Sequence, residues 1–148
     1  ATPTFPVDLA TALAQPGAQD IITAALPEIQ TNIAAGATQF ATDWPQIVAT
    51  IQTLAPQATI YVTTVYNPIS PQDPLYAVFD PAILAINSAI KTPGAGYFVA
   101  DVYTAFNDYQ GSEPLVNFNW YTGNLDPHPT TAGHELIYQC HKNAVIIN

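Results

Sequence analysis

An α/β fold is what this sequence predicts, and three observations predict it. Two short β-branched runs are separated by an amphipathic stretch. Apolar residues at helical spacing flank them on both sides. Turn chemistry marks every junction.

From Asp20 to Leu54 apolar residues recur with helical period, and Pro27 and Pro45 are expected to divide the run into pieces. Ile47, Val48, Ile51 and Leu54 form one stripe that the spacing predicts to be buried. Ala55-Pro56-Gln57 ends the helix. The run ATIYVTTV (58–65) then reads as a strand buried on both faces. A proline-rich loop follows, YNPISPQDP. Asp80-Pro81 has the pattern of an N-cap and first helical residue, opening a helix through Ile83, Leu84, Ile86, Asn87 and Ile90. Thr92-Pro93-Gly94 closes it, and GYFVADV (96–102) is the second strand. A long aromatic loop, from about Phe106 to Asn124, leads to the segment LDPHPTTAGHELIY (125–138). Thr130 or Thr131 is placed there to cap a last helix running through Leu136, Ile137, Cys140 and Ala144.

Strand, helix, strand is a right-handed βαβ unit. Two strands alone are too few, because a parallel pair would have no sheet to be buried in. Residues 1–148 therefore read as a single incomplete α/β domain, the second half of a larger doubly wound parallel sheet. Its remainder would come from another chain, a swapped copy or another rearrangement.

Composition narrows the function. The chain has two basic residues, Lys91 and Lys142, against eleven acidic ones, for a formal net charge of -9. Nothing here would neutralise a phosphate backbone, which excludes nucleic acid and disfavours anionic membranes. Charged residues are only 9% of the chain, and a surface of Thr, Gln, Asn and Ala suits a secreted or periplasmic protein. The start, ATPTFPVDLATA, reads as a mature or cut N-terminus. Cys140 is the only cysteine, so no internal disulfide is possible, and its spacing with Leu136 and Ala144 predicts burial.

His128 is the residue of greatest chemical interest. Pro127 before it and Pro129 after it keep it out of any helix and hold it on stiff extended chain. A titratable ring on a rigid loop at a helix entrance is how a general base would be presented.

The residues DPHPTTAGHELI, with ATIYVTTVYNP some sixty positions earlier, resemble the SGNH (GDSL-type) esterase and lipase family. The LAPQA helix end before the first strand, the YNP after it, and the NSAI helix feeding GYFVADV follow in that family's order. The resemblance runs from roughly Ile29 to the end. It implies a flavodoxin-like α/β sandwich with the N-terminal strands missing from this chain. It also implies carboxylic-ester hydrolysis through an acyl-serine intermediate, on lipid or acylated carbohydrate, with no cofactor. His128 then matches the general base. The family places an aspartate three positions before that histidine, where this chain has Leu125; the acid here is Asp126, two before. Along extended chain one residue turns a side chain to the opposite side. Either Asp126 reaches the ring through the bend at Pro127, or a backbone carbonyl orients it.

The nucleophile motif is missing. No GDS, GxSxG or GxND occurs, and the three serines, Ser70, Ser88 and Ser112, lack an elbow pattern. The serine and oxyanion donors would lie outside this chain. Tyr66 and Asn67, at the carboxyl end of the first strand, either line a substrate pocket or form a turn. Phe118, Trp120 and Tyr121 either flank substrate, with Trp120 the leading residue, or tie the loop down as a plug. His134 and His141, seven apart, do not have zinc-ligand spacing, and no metal is expected; His134 reads as a packing or capping residue. Two other classes stay open. One is a catalytically inactive domain whose sheet edge pairs with a partner or a second copy, giving a homo-oligomer. The other is a carbohydrate-binding or storage role using the aromatic loop.

Overall fold

A computed structural model describes residues 18–73, 75–119, 124 and 126–146, without the side chains of 18–23. The elements are α1 (Ala18–Leu54), β1 (Tyr61–Thr63), α2 (Tyr76–Ile90), β2 (Phe98–Ala100), α3 (Val102–Asn107), α4 (Thr131–Lys142) and β3 (Val145–Ile146). The strands lie in the order β1-β2-β3. β1 and β2 are parallel, with Val62 opposite Val99. β3 runs antiparallel to β2, with Val145 opposite Val99. The fold is α/β around a small mixed sheet.

Side chains alternate across each strand, and that alternation sorts the packing. Val62 and Val99 close a core with Val48 of α1, Ile90 of α2 and Tyr97. The Trp44 indole N–H donates to the Tyr97 hydroxyl at 2.9 Å, so the core's polar atoms are paired. On the other side, Thr63 Oγ1 meets the His141 ring of α4 at 2.8 Å. Tyr61 stacks on Phe98 beside it at 5.0 Å. Buried Asn87 pins α2 to the end of β1, accepting from the Val65 N–H at 2.7 Å and donating to its carbonyl at 2.8 Å.

Several expectations are corrected. α1 runs unbroken through Pro27 and Pro45. Each proline forfeits one intrahelical N–H bond, and both prolines are exposed. The stripe on α1 is not buried as a whole. Val48 is 5% exposed, whereas Ile47 is 46%, Ile51 40% and Leu54 80% exposed. Helical period marks an apolar face, and it cannot say that this chain covers that face.

α2 begins at Tyr76, before Asp80. The Asp80 carboxylate is taken by the Tyr103 hydroxyl at 3.0 Å and the Asn67 amide at 3.4 Å, so it is not a cap. β2 ends at Ala100, because Asp101 caps α3 by accepting the Thr104 N–H at 3.3 Å. Burial alone would raise the Asp101 pKa, but Lys91 at 2.6 Å and Thr104 outweigh it and hold the carboxyl below its ordinary range. Cys140 is half-buried, its thiol 3.8 Å from the Asp101 carbonyl. Burial and then the Asp101 charge raise its pKa, which keeps it a protonated, structural thiol. No helix among the described residues is long and apolar enough to cross a membrane.

Candidate active site

His128 sits on a loop fixed from several directions. Thr130 caps α4, its Oγ1 accepting the Gly133 N–H at 3.2 Å. The same hydroxyl donates to the Pro114 carbonyl at 2.6 Å, and the Thr130 N–H donates to the Leu115 carbonyl at 2.9 Å. Val116 bridges Pro129 in antiparallel fashion, and the Asn117 N–H donates to the His128 carbonyl at 3.1 Å. Segment 114–117 lies so close to α4 that a Cβ at Gly133 would stand 2.1 Å from the Leu115 carbonyl oxygen. Only glycine admits that approach. The glycine in TTAGHE therefore shapes the loop that carries the histidine.

Asp126 reaches the ring. Its Oδ1 accepts the His128 backbone N–H at 3.0 Å and meets His128 Nδ1. One carboxylate oxygen spans Pro127 as an Asx-type turn. That turn is why a spacing of two brings acid and imidazole together where plain extended chain would separate them. The second oxygen accepts from the Asn117 side-chain amide at 3.3 Å. The His128 amide first, and the His128 ring second, hold the Asp126 carboxyl below the ordinary carboxylate range, with desolvation opposing them.

The side chains of His128 and Asp126 are 80% and 43% exposed. His128 Nε2 has no hydrogen-bond partner among the described residues. An imidazole with Nδ1 on a carboxylate and Nε2 free has the arrangement a general base needs.

Tyr66 supports this loop. Its hydroxyl donates to the Pro127 carbonyl at 2.8 Å, and its ring stacks on Phe106 at 4.6 Å. Burial first, and then the Asp126 charge, raise its pKa, so the phenol stays a donor. Asn67 forms a turn: Oδ1 accepts the Ile69 N–H at 3.1 Å, and Nδ2 donates to the Tyr76 carbonyl at 3.3 Å. Trp120, Tyr121 and Leu125 lie outside the described residues. The sequence reading missed Asn117, which holds both members of the pair. Its signal was faint, one of two asparagines inside the otherwise apolar run LVNFNW.

No described serine approaches the imidazole. Ser70 Oγ donates to Gln72 Oε1, Ser88 is exposed on α2, and Ser112 is exposed in a loop. His134 is exposed on the first turn of α4, where Thr130 does the capping. Among the described residues no three His, Cys, Asp or Glu side chains cluster to hold a metal ion. No known protein family, curated protein or solved structure matches the chain.

Proposed function

We propose that these residues are the C-terminal part of an SGNH-type ester hydrolase with a doubly wound sheet, acting outside the cytoplasm. The observation that carries this reading is the Asp126–His128 pair with Nε2 facing outward. His128 Nε2 takes the proton from a serine hydroxyl as that oxygen attacks the ester carbonyl. Asp126 offsets the charge that develops on the imidazolium. The proton then passes to the leaving alcohol, an acyl-serine forms, and water releases the acid by the same relay. The serine and the oxyanion donors are supplied by polypeptide beyond these 148 residues.

The test is turnover of short-chain p-nitrophenyl esters with fluorophosphonate labelling. It is run on the chain alone and on the chain fused behind a GDS-bearing segment of an SGNH esterase. The chain alone should show no labelled serine. The fusion should turn over, and His128→Ala should lower kcat by roughly 10³-fold or more. Labelling of Ser70, Ser88 or Ser112 in the chain alone would overturn the placement of the nucleophile.

A second reading, an inactive interaction domain, has an observation of its own. Among the described residues β1 is an edge strand, and Ile60 and Thr64 bond toward β2, so Tyr61 and Thr63 turn their backbone groups away from β2. An uncharged edge of that kind pairs readily with another strand. This reading predicts concentration-dependent dimers and no hydrolysis in any fusion. Sedimentation showing monomer at every concentration sinks it.

A further inference from the structure

Behind the dyad, on the other side of the 114–118 segment, lies a second feature. Val116 and Phe118 line a cleft of about 320 Å³, while Asn117 between them holds Asp126 and His128. The cleft is closed by the 67–72 loop and by the end of α3. Its volume falls at the small end of ligand sites, roughly 300–1,000 Å³.

The lining selects a ligand class. Phe106, Tyr109 and Phe118 provide aromatic faces, and Ser70, Gln72, Asn107 and Glu113 provide hydrogen-bonding groups. Neither of the chain's two cations lines it, so an anion would find no counter-charge. Much of the wall is polar, which disfavours an alkyl chain.

The polar groups are set from behind. Gln72 Oε1 accepts from Ser70, leaving the Gln72 amide N–H groups as donors. Asn107 Oδ1 accepts from the Tyr76 hydroxyl at 3.1 Å, leaving its own amide N–H groups. Glu113 adds an acceptor. Tyr109 is positioned by a glycine, since a Cβ at Gly111 would lie 2.1 Å from the Tyr109 hydroxyl. A side chain at position 111 would push the Tyr109 ring tip aside.

We propose that this cleft binds a neutral, polyhydroxylated ligand, a carbohydrate. Donors, an acceptor and aromatic faces without a cation match sugar hydroxyls and the apolar faces of sugar rings. The assignment goes beyond the ester-hydrolase reading and stands without it.

The test is ¹H–¹⁵N NMR titration of the 148-residue chain with cello-, xylo-, manno- and maltohexaose, and with 1-octanol as an alkyl probe. At least one hexaose should shift the Gln72 and Asn107 side-chain amides together with the Tyr109 and Gly111 backbone amides. Tyr109→Ala should weaken that binding at least tenfold, and so should Gly111→Ala, by displacing the ring. Gln72→Ala and Asn107→Ala, which change no backbone approach, should each weaken it several-fold. The proposal is overturned if no hexaose shifts these resonances, if 1-octanol alone does, or if affinity survives in the folded variants.

Discussion

The loop around His128 and the outer side of α1 and β1 are built on opposite terms. Around Asp126 and His128 the polar groups of the supporting loop find protein partners, with His128 Nε2 the exception among the described residues. Thr130 spans Pro114 and Gly133, Asn117 spans Asp126 and His128, and Tyr66 holds Pro127. The outer side of α1 offers Ile47, Ile51 and Leu54 to solvent, and from Gln57 to Asn67 the chain carries no charge. Edge strands in monomeric proteins are usually guarded by lysine, proline or bulges. β1 has none of these within Tyr61–Thr63. The contrast teaches that the Asp126–His128 pair can be complete in its own contacts while β1 has no strand paired on its outer side among the described residues. Under the proposed hydrolase reading, a chain that pairs with this edge is where the serine would be sought.

The comparison breaks most sharply in the core. Ile90→Ala removes a buried side chain between Val62 and Val99 and should cost about 2–5 kcal/mol in urea unfolding. The next effect lies under the dyad. Gly133→Ala drives a methyl into the Leu115 carbonyl and should cost about 1–3 kcal/mol. Circular dichroism should show α4 retained while the His128 loop shifts in NMR spectra. A Gly133→Ala protein with an unchanged spectrum would mean the loop is not held against α4. On the open side, Ile51→Gln and Leu54→Gln should change stability by no more than about 0.5 kcal/mol. A loss as large as that of Ile90→Ala would show that the face is covered in solution.

Much of this was legible in the sequence, and the failures have physical causes. β-branched runs announced β1 and β2, but the run 58–65 does not form a strand buried on both faces. β1 spans only Tyr61–Thr63, and Tyr61 is 53% and Val65 41% exposed, because β1 lies at the end of the strand order. The Pro-His-Pro-Thr-Thr order announced a stiff loop and a cap. β3 is two residues long, too short for any periodicity. The unbroken α1 escaped notice because a proline's effect on a helix depends on what surrounds it in the fold, and both prolines here are exposed. Asn117 was hidden because its partners are nine and eleven positions away. The Asp126–His128 contact stood open because spacing alone does not distinguish extended chain from an Asx-type turn.

The smallest predicted effect tests that turn directly. The Asp126 carboxyl titrates below its ordinary 3.8 because the His128 amide, the His128 ring and Asn117 all favour its charged form. A depressed folded pKa means that the contribution is fully present above the unfolded value. It is lost as pH falls through the lower folded value. The Asp126 contacts should therefore persist at pH 5 and dissolve only below 3.8. In a ¹³C titration Asn117→Ala should move the Asp126 midpoint upward by removing one donor. His128→Ala should move it further, since it removes the ring while the backbone N–H remains. If Asp126 titrates at its ordinary value in the unsubstituted chain, carboxylate and imidazole are not paired in solution. The ring would then be oriented by something other than Asp126.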